Sequence, residues 1–270
     1  MQPVLFELFG IPINSYGVSK ALAAIVAAYL LSREFARLGW NRDKAWDIVF
    51  LATVVGFIGG KAYFLAENAG DLQLHHLGGS GFTWYGGLIA GAATFVWLAR
   101  RHRLPLRALA GISAAPLAVA YGIGRIGCFL AGDGTYGRPT DLPWGMAFPD
   151  GFVPTTVAVH PTGLYEAAAA FVLAAVLWAL RTRTPPLRLF GAYASASGLT
   201  RILVETVRTN DPVVLGLTQP QIWSMALVVA GFVLLLVRER ETPPTEAVGA
   251  EAVGAGVPSI ALAADERTRS

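Results

Sequence analysis

Apolar residues in this chain come in long unbroken blocks. They show neither the alternation of a half-buried strand nor the narrow stripe of a surface helix. The blocks fall near residues 18–32, 45–66, 82–99, 108–130, 162–180, 189–207 and 220–237. Each approaches the roughly 20 residues that an α-helix needs to cross about 30 Å of hydrocarbon. The pattern predicts an all-α, polytopic membrane protein with about seven transmembrane helices. Residues 1–240 read as a single transmembrane domain. Residues 241–270, rich in Ala, Gly, Glu and Pro and without a sustained apolar face, read as a disordered cytoplasmic tail.

Composition agrees, with 54% hydrophobic and only 14% charged residues, outside the usual range of a soluble domain. Charge adds a direction. Arg33, Arg37, Arg42 and Lys44 follow the first block, Arg100, Arg101, Arg103 and Arg107 the third, Arg181, Arg183 and Arg188 the fifth, and Arg238 and Arg240 the last. The opposite connections hold only Arg138 and Arg208. Cytoplasmic loops are the ones enriched in Lys and Arg, so the N-terminus is expected outside and the C-terminus inside. The net charge of +3 follows from this asymmetry and gives no reason to propose a nucleic-acid partner. The first sixteen residues lack a basic segment and a small-residue cleavage site, so the first span is expected to serve as its own export signal. One cysteine, Cys128, excludes an intrachain disulfide and a Cys-based metal site. His75 and His76 read as interfacial, with no third ligand for zinc in view, so neither metal nor cofactor is expected.

Ionisable groups inside apolar blocks point to function by default, because they cost free energy unless they meet a partner, water or an anionic ligand. Lys20, Lys61, Arg125, Arg201 and Glu205 are the candidates. Lys20, near a helix end, can reach the interface by its stem. Arg201 and Glu205 lie four residues apart and share a helix face, which Arg208 continues. Gly59-Gly60 before Lys61, and Gly122, Gly124 and Gly127 around Arg125, permit close helix approach. Helix packing accounts for the glycines but not for the cations. A phospholipid phosphate is the anion most available to them.

The stretch Gly124 to Thr140, GRIGCFLAGDGTYGRPT, resembles the signature of the prolipoprotein diacylglyceryl transferases. Other blocks resemble the family in the same order: Ser15-Tyr16-Gly17, Gly59-Gly60-Lys61, Tyr85 to Ala90 (YGGLIA), Leu142 to Pro149 (LPWGMAFP), His160 to Glu166 (HPTGLYE) and Arg201 to Glu205 (RILVE). The resemblance implies an enzyme of the bacterial cytoplasmic (inner) membrane, multi-pass and active toward the outer leaflet. Its partners would be phosphatidylglycerol, surrounding membrane lipids and the lipobox cysteine in the signal peptide of a prolipoprotein. It would transfer a diacylglyceryl group to that thiol, with no cofactor.

Cations must then hold the lipid phosphate and stabilise the departing ester, and the thiol must lose its proton. The resemblance makes Arg125, Arg201, Glu205, Tyr85 and Asp133 candidate catalytic residues. It makes Arg125, Arg201, Lys61, Tyr16, Gly137 and His160 candidate contacts to phosphatidylglycerol. Tyr85 stands where the family carries histidine, Cys128 and Ala131 where asparagines are common, Asp133 for glutamate and Lys61 for arginine. A phenol is a poor base at neutral pH but can donate a hydrogen bond. These departures keep open an alternative: a divergent, non-catalytic lipid-binding or lipid-moving membrane protein, or a paralogue using another lipid or acceptor. Cys128 reads as a buried small residue in preference to a covalent nucleophile. Trp84, Trp144 and Trp223 read as interface anchors. The proline-rich loop 132–160 reads as a lid or docking surface for the signal peptide.

Overall fold

The computed structural model describes residues 2–71, 73 and 81–238. The tail 241–270, Arg240 and the pair His75 and His76 lie outside the described residues. Within them run seven helices: α1 (Ser15–Arg37), α2 (Asp43–Glu67), α3 (Trp84–Arg101), α4 (Leu106–Ala131), α5 (Thr162–Leu180), α6 (Pro186–Glu205) and α7 (Gln219–Leu236). They coincide block for block with the apolar pattern. Five of them, α1, α2, α4, α5 and α7, are long and apolar enough to cross a membrane. The other two fall short for visible reasons: α3 is 18 residues long and ends in Arg100 and Arg101, while α6 carries Arg188, Arg201 and Glu205.

The all-α expectation is corrected to mostly helical. Among the described residues three two-stranded antiparallel sheets occupy the connections: β1 (Val4–Leu8) with β2 (Ile11–Asn14), β3 (Met146–Phe148) with β4 (Thr155–Val159), and β5 (Pro212–Val214) with β6 (Leu217–Thr218). Strands of two to five residues lie at or below the usual strand length, and next to long apolar blocks they leave almost no periodic signal.

Helix α4 is the hub, packing on α1, α5 and α6, while α2 pairs with α3 and α6 with α7. Small residues let these pairs close. A β-carbon on Gly59 would stand 2.8 Å from the Gly86 carbonyl oxygen, and one on Gly191 would stand 2.7 Å from the Gly231 carbonyl oxygen. On α4, Gly127 faces Ser19 of α1, and Gly163 of α5 faces the Arg125 carbonyl, so the end of α4 meets the starts of both neighbours. At the opposite end Glu34, 2% exposed, takes ion pairs from Arg37 at 2.6 Å and from Arg181 at 2.9 Å. The last turn of α1 is thereby fastened to the end of α5. Beside that junction Leu31, Phe35, Ile48, Leu98 and Leu109 form an apolar core.

The loop from Gly132 to His160 caps this end of the helices and is tied by backbone hydrogen bonds at both ends. Phe152 N donates to Ala131 O at 3.0 Å, and Val153 N to Gly132 O at 2.9 Å. Farther along, Gly137 N donates to His160 O at 2.9 Å and Arg138 N to Val207 O at 2.8 Å. Phe148, 1% exposed, stacks on Tyr136 with centroids 4.7 Å apart and meets Phe129 edge-on at 5.8 Å.

Candidate active site

The site begins with one helix position on each of α4, α5 and α6. Gly163 brings the first turn of α5 against Arg125, and the next turn presents Glu166, whose side chain is 0% exposed. Arg125 Nε lies 3.0 Å from Glu166 Oε2 and Arg201 Nη1 lies 3.2 Å from Glu166 Oε1. One carboxylate therefore joins the two arginines across two helix interfaces. Tyr121, one turn before Arg125, accepts from Arg125 Nε at 3.1 Å and donates to Glu166 Oε1 at 2.8 Å.

The expected pair of Arg201 and Glu205 forms, with Nη2 at 2.9 Å from Oε2. Glu205 is as enclosed as Glu166. It also accepts from Asn210 Nδ2 at 2.6 Å and from Thr218 Oγ1 at 2.8 Å, and Arg208 Nε stands 3.7 Å away. Thr218 is at the same time the N-cap of α7, in a capping box with Gln221, which couples that helix start to the charge cluster. Arg208 donates to the Thr135 carbonyl at 2.8 Å, and Thr162 Oγ1 donates to the same oxygen. Burial, and then the nearby Arg201, lowers the affinity of Arg208 for its proton below the ordinary guanidinium value.

Three guanidinium groups face two carboxylates, so the cluster carries one positive charge in excess. Glu166 Oε2, Glu205 Oε2 and Arg208 Nε are buried with ionic neighbours but without an aligned hydrogen bond. Arg125 and Arg201 each keep 17% of the side chain exposed, while the carboxylates have none. The arginine side chains are thus the partly exposed members of the network. A phosphodiester monoanion matches both the charge and the donors left over.

The remaining candidates separate into groups. Tyr16 and Lys20 flank Arg125 on α1: the Lys20 ammonium sits 5.0 Å from the Tyr16 ring centroid, and a β-carbon on Gly124 would be 3.4 Å from it. Lys20 thus turns back toward the helix start, as a lysine near a span end does. Asp133 accepts from Thr135 N at 3.1 Å and Thr135 Oγ1 at 2.6 Å; it shapes the turn whose carbonyl Arg208 holds. Gly137 has no room for a side chain, since a β-carbon would collide with the Val207 carbonyl and stand 2.9 Å from His160 Cβ. His160 Nδ1 lies 3.2 Å from the Tyr165 hydroxyl, which accepts from Trp144 Nε1 at 2.8 Å. Cys128 is buried, 4.0 Å from Arg125 Nη1.

Lys61 and Tyr85 are placed in a second group, on the α2–α3 pair. The Lys61 ammonium is 5.1 Å from the Phe82 ring and 5.5 Å from that of Phe64. Tyr85 meets Trp223 of α7 with centroids 5.8 Å apart. Sequence reasoning missed Glu166 and Tyr121 as members of the network. The signal was present, because Glu166 is the only charged residue within α5 and an unexplained intramembrane carboxylate is as informative as an arginine.

Fold and site together define a multi-pass helical membrane protein with a buried, cation-rich polar centre at one end of its helices. Comparison with known proteins resolves the class further. The family model for prolipoprotein diacylglyceryl transferase matches residues 3–237. A phosphatidylglycerol–prolipoprotein diacylglyceryl transferase of Clostridium tetani is 34% identical over 218 residues, covering 78% of this chain and 87% of that protein. One from Geobacter sulfurreducens is 32% identical over 259 residues, covering 90% and 98%, and one from Pseudomonas putida is 29% identical over 250 residues, covering 87% and 93%. The chain belongs to the prolipoprotein diacylglyceryl transferase family.

Proposed function

We propose that this protein moves the diacylglyceryl group of phosphatidylglycerol to the lipobox cysteine of a prolipoprotein signal peptide, and that the Arg125–Glu166–Arg201–Glu205–Arg208 network binds the lipid phosphate. The observation that carries the reading is the surplus positive charge of that network, in which the arginine side chains keep some exposed surface and the carboxylates keep none. In this reading all seven helices cross the cytoplasmic membrane, α3 and α6 sheltered by their partners, with the N-terminus outside. The basic loops then face the cytoplasm, as their charge asymmetry favours, and the site faces the outer leaflet.

The cysteine sulfur attacks the glyceryl carbon that bears the phosphate. A carbon–sulfur bond forms, the carbon–oxygen bond to phosphate breaks, and glycerol phosphate departs with the electron pair. The thiol proton is the one released. Arg125 and Arg201 stabilise the negative charge that grows on the departing phosphate. Glu166 and Glu205 fix the two guanidinium planes, so no reorganisation is needed as that charge develops. Tyr16 and Lys61 line the approach of the lipid, and Tyr85 donates a hydrogen bond to a lipid oxygen. Asp133, Gly137 and His160 hold the cap against the network from the side where the peptide arrives.

The test is incubation of the purified protein with phosphatidylglycerol and a lipobox peptide, with mass spectrometry of the cysteine and an active family member as positive control. The diacylglyceryl adduct is expected. A peptide that stays unmodified while the control reacts would favour a lipid-binding protein without turnover.

A further inference from the structure

Two hairpins outside the helices share a design that neither folding nor catalysis explains. In β1–β2 the closing pair is Leu8 and Ile11, and in β5–β6 it is Val214 and Leu217. Each is therefore a two-residue turn, Phe9-Gly10 and Leu215-Gly216. Both central residues have positive φ in each turn: 52° and 78° in the first, 51° and 76° in the second. That geometry favours Asn or Asp before the glycine, because a bulky side chain is strained in the left-handed region. Here the position is held by a phenylalanine 95% exposed and a leucine 94% exposed. A β-carbon on Gly10 or Gly216 would meet nothing within 4 Å, so both tips stand clear of the rest of the protein.

The strands repeat the pattern. Every residue of β1 is exposed, and Val4, Leu5, Phe6 and Leu8 are apolar; β5 is exposed throughout, with Val213 and Val214. An isolated two-stranded hairpin is marginal in water, and one apolar on both faces has nothing there to bury against. Residues 2–14 hold one charge, Glu7, and residues 212–218 hold none, which suits neither an aqueous loop nor electrostatic adhesion to anionic lipid. The hairpins are also continuous with lipid-facing helices. Asn14 of β2 is followed directly by Ser15 of α1, and Thr218 of β6 by Gln219 of α7, and both helices are apolar enough to cross a membrane. The start of α1 meets the end of α4 through Gly127, and the segment before β5 bridges to Gly137, so both hairpins emerge at the end that holds the charge network.

We propose that β1–β2 and β5–β6 are paired membrane-surface anchors, with Phe9 and Leu215 inserted at the boundary of headgroups and acyl chains on the face where the site opens. Their outer strand edges carry unpaired backbone groups that require water or headgroups, which holds the hairpins at the interface and out of the hydrocarbon. The two anchors flank the charge network and set the depth at which a lipid phosphate meets Arg125 and Arg201.

The test is spin-label depth measurement on the full chain in phosphatidylglycerol-containing nanodiscs, with nitroxides on Phe9→Cys and Leu215→Cys. Asp141→Cys, on an exposed loop, serves as aqueous control, and the unsubstituted protein gives the background from buried Cys128. Both tips should show a ratio of oxygen to polar nickel-chelate accessibility severalfold above that of the control. A ratio equal to the control at either tip overturns the paired anchor. Low accessibility to both reagents with dipolar broadening, the signature of contact with a second copy, overturns it as well. Labels on Phe6→Cys and Val213→Cys repeat the reading should a tip label disturb its turn. The readout is independent of transferase activity.

Discussion

Replacing Glu166 by glutamine isolates the charge that holds the two arginines, with almost no change in side-chain volume. Glu166 is 0% exposed and lies 3.0 Å from Arg125 Nε and 3.2 Å from Arg201 Nη1. At an effective dielectric of about 20, each pair represents about 5 kcal/mol of attraction before desolvation is counted. The net effect is smaller, because removing one partner of a buried pair typically costs about 3–5 kcal/mol. Glu166→Gln is therefore expected to lower stability by about that amount, read as a fall in Tm in nanodiscs. Glutamine keeps an acceptor oxygen toward one arginine but turns its amide NH2 toward the other, so Arg125 and Arg201 move apart. A displacement of about 1 Å at a reacting centre costs about 100-fold in rate, which is the expected loss in kcat for adduct formation. The KM for phosphatidylglycerol should not rise, since the variant site carries one more net positive charge. A variant with wild-type Tm and kcat would refute the role given to Glu166. A raised KM at unchanged kcat would mean that Glu166 touches the lipid and does not orient the arginines.

Other substitutions test the surroundings. Cys128→Ala should keep kcat within a factor of about 3, as expected of a small buried residue, whereas loss of all adduct would restore the covalent reading. Gly137→Ala drives a β-carbon into the Val207 carbonyl and toward His160, and is expected to cost about 1–3 kcal/mol in thermal unfolding; an unchanged Tm would show that the cap yields freely. Tyr85→Phe removes only the hydroxyl and should lower turnover by about 2- to 10-fold, the worth of one neutral hydrogen bond to the lipid. Turnover equal to wild type would confine Tyr85 to its packing on Trp223.

Much of this organisation was legible in the residue pattern because hydrocarbon is a simple solvent. It demands long apolar runs, penalises every charge inside them and sorts the loops by basicity. The seven helices, the Arg201–Glu205 pair and the special status of Arg125 follow from those rules. The hairpins escaped because strands of two to five residues generate no period. Glu166 escaped because attention to a phosphate ligand favours cations, although a lone carboxylate in α5 violates the same rule. The placing of Tyr85 against Trp223 of α7, and of Lys61 beside Phe64 and Phe82, could not be read at all. It depends on α2 packing with α3 and on α4 acting as hub, and neighbour relations among apolar helices leave little trace in composition.

The central claim is that Arg125, in its network with Glu166 and Arg201, clamps a lipid phosphate through a displacement that forms a thioether. The most direct measurement follows both products at once, using phosphatidylglycerol labelled in its glycerol headgroup, a lipobox peptide, and wild-type protein beside Arg125→Ala. The wild type is expected to yield adduct and labelled glycerol phosphate in equal amounts, and the folded, membrane-inserted variant neither. Glycerol phosphate released without adduct, or an Arg125→Ala variant that turns over like the wild type, would contradict the account.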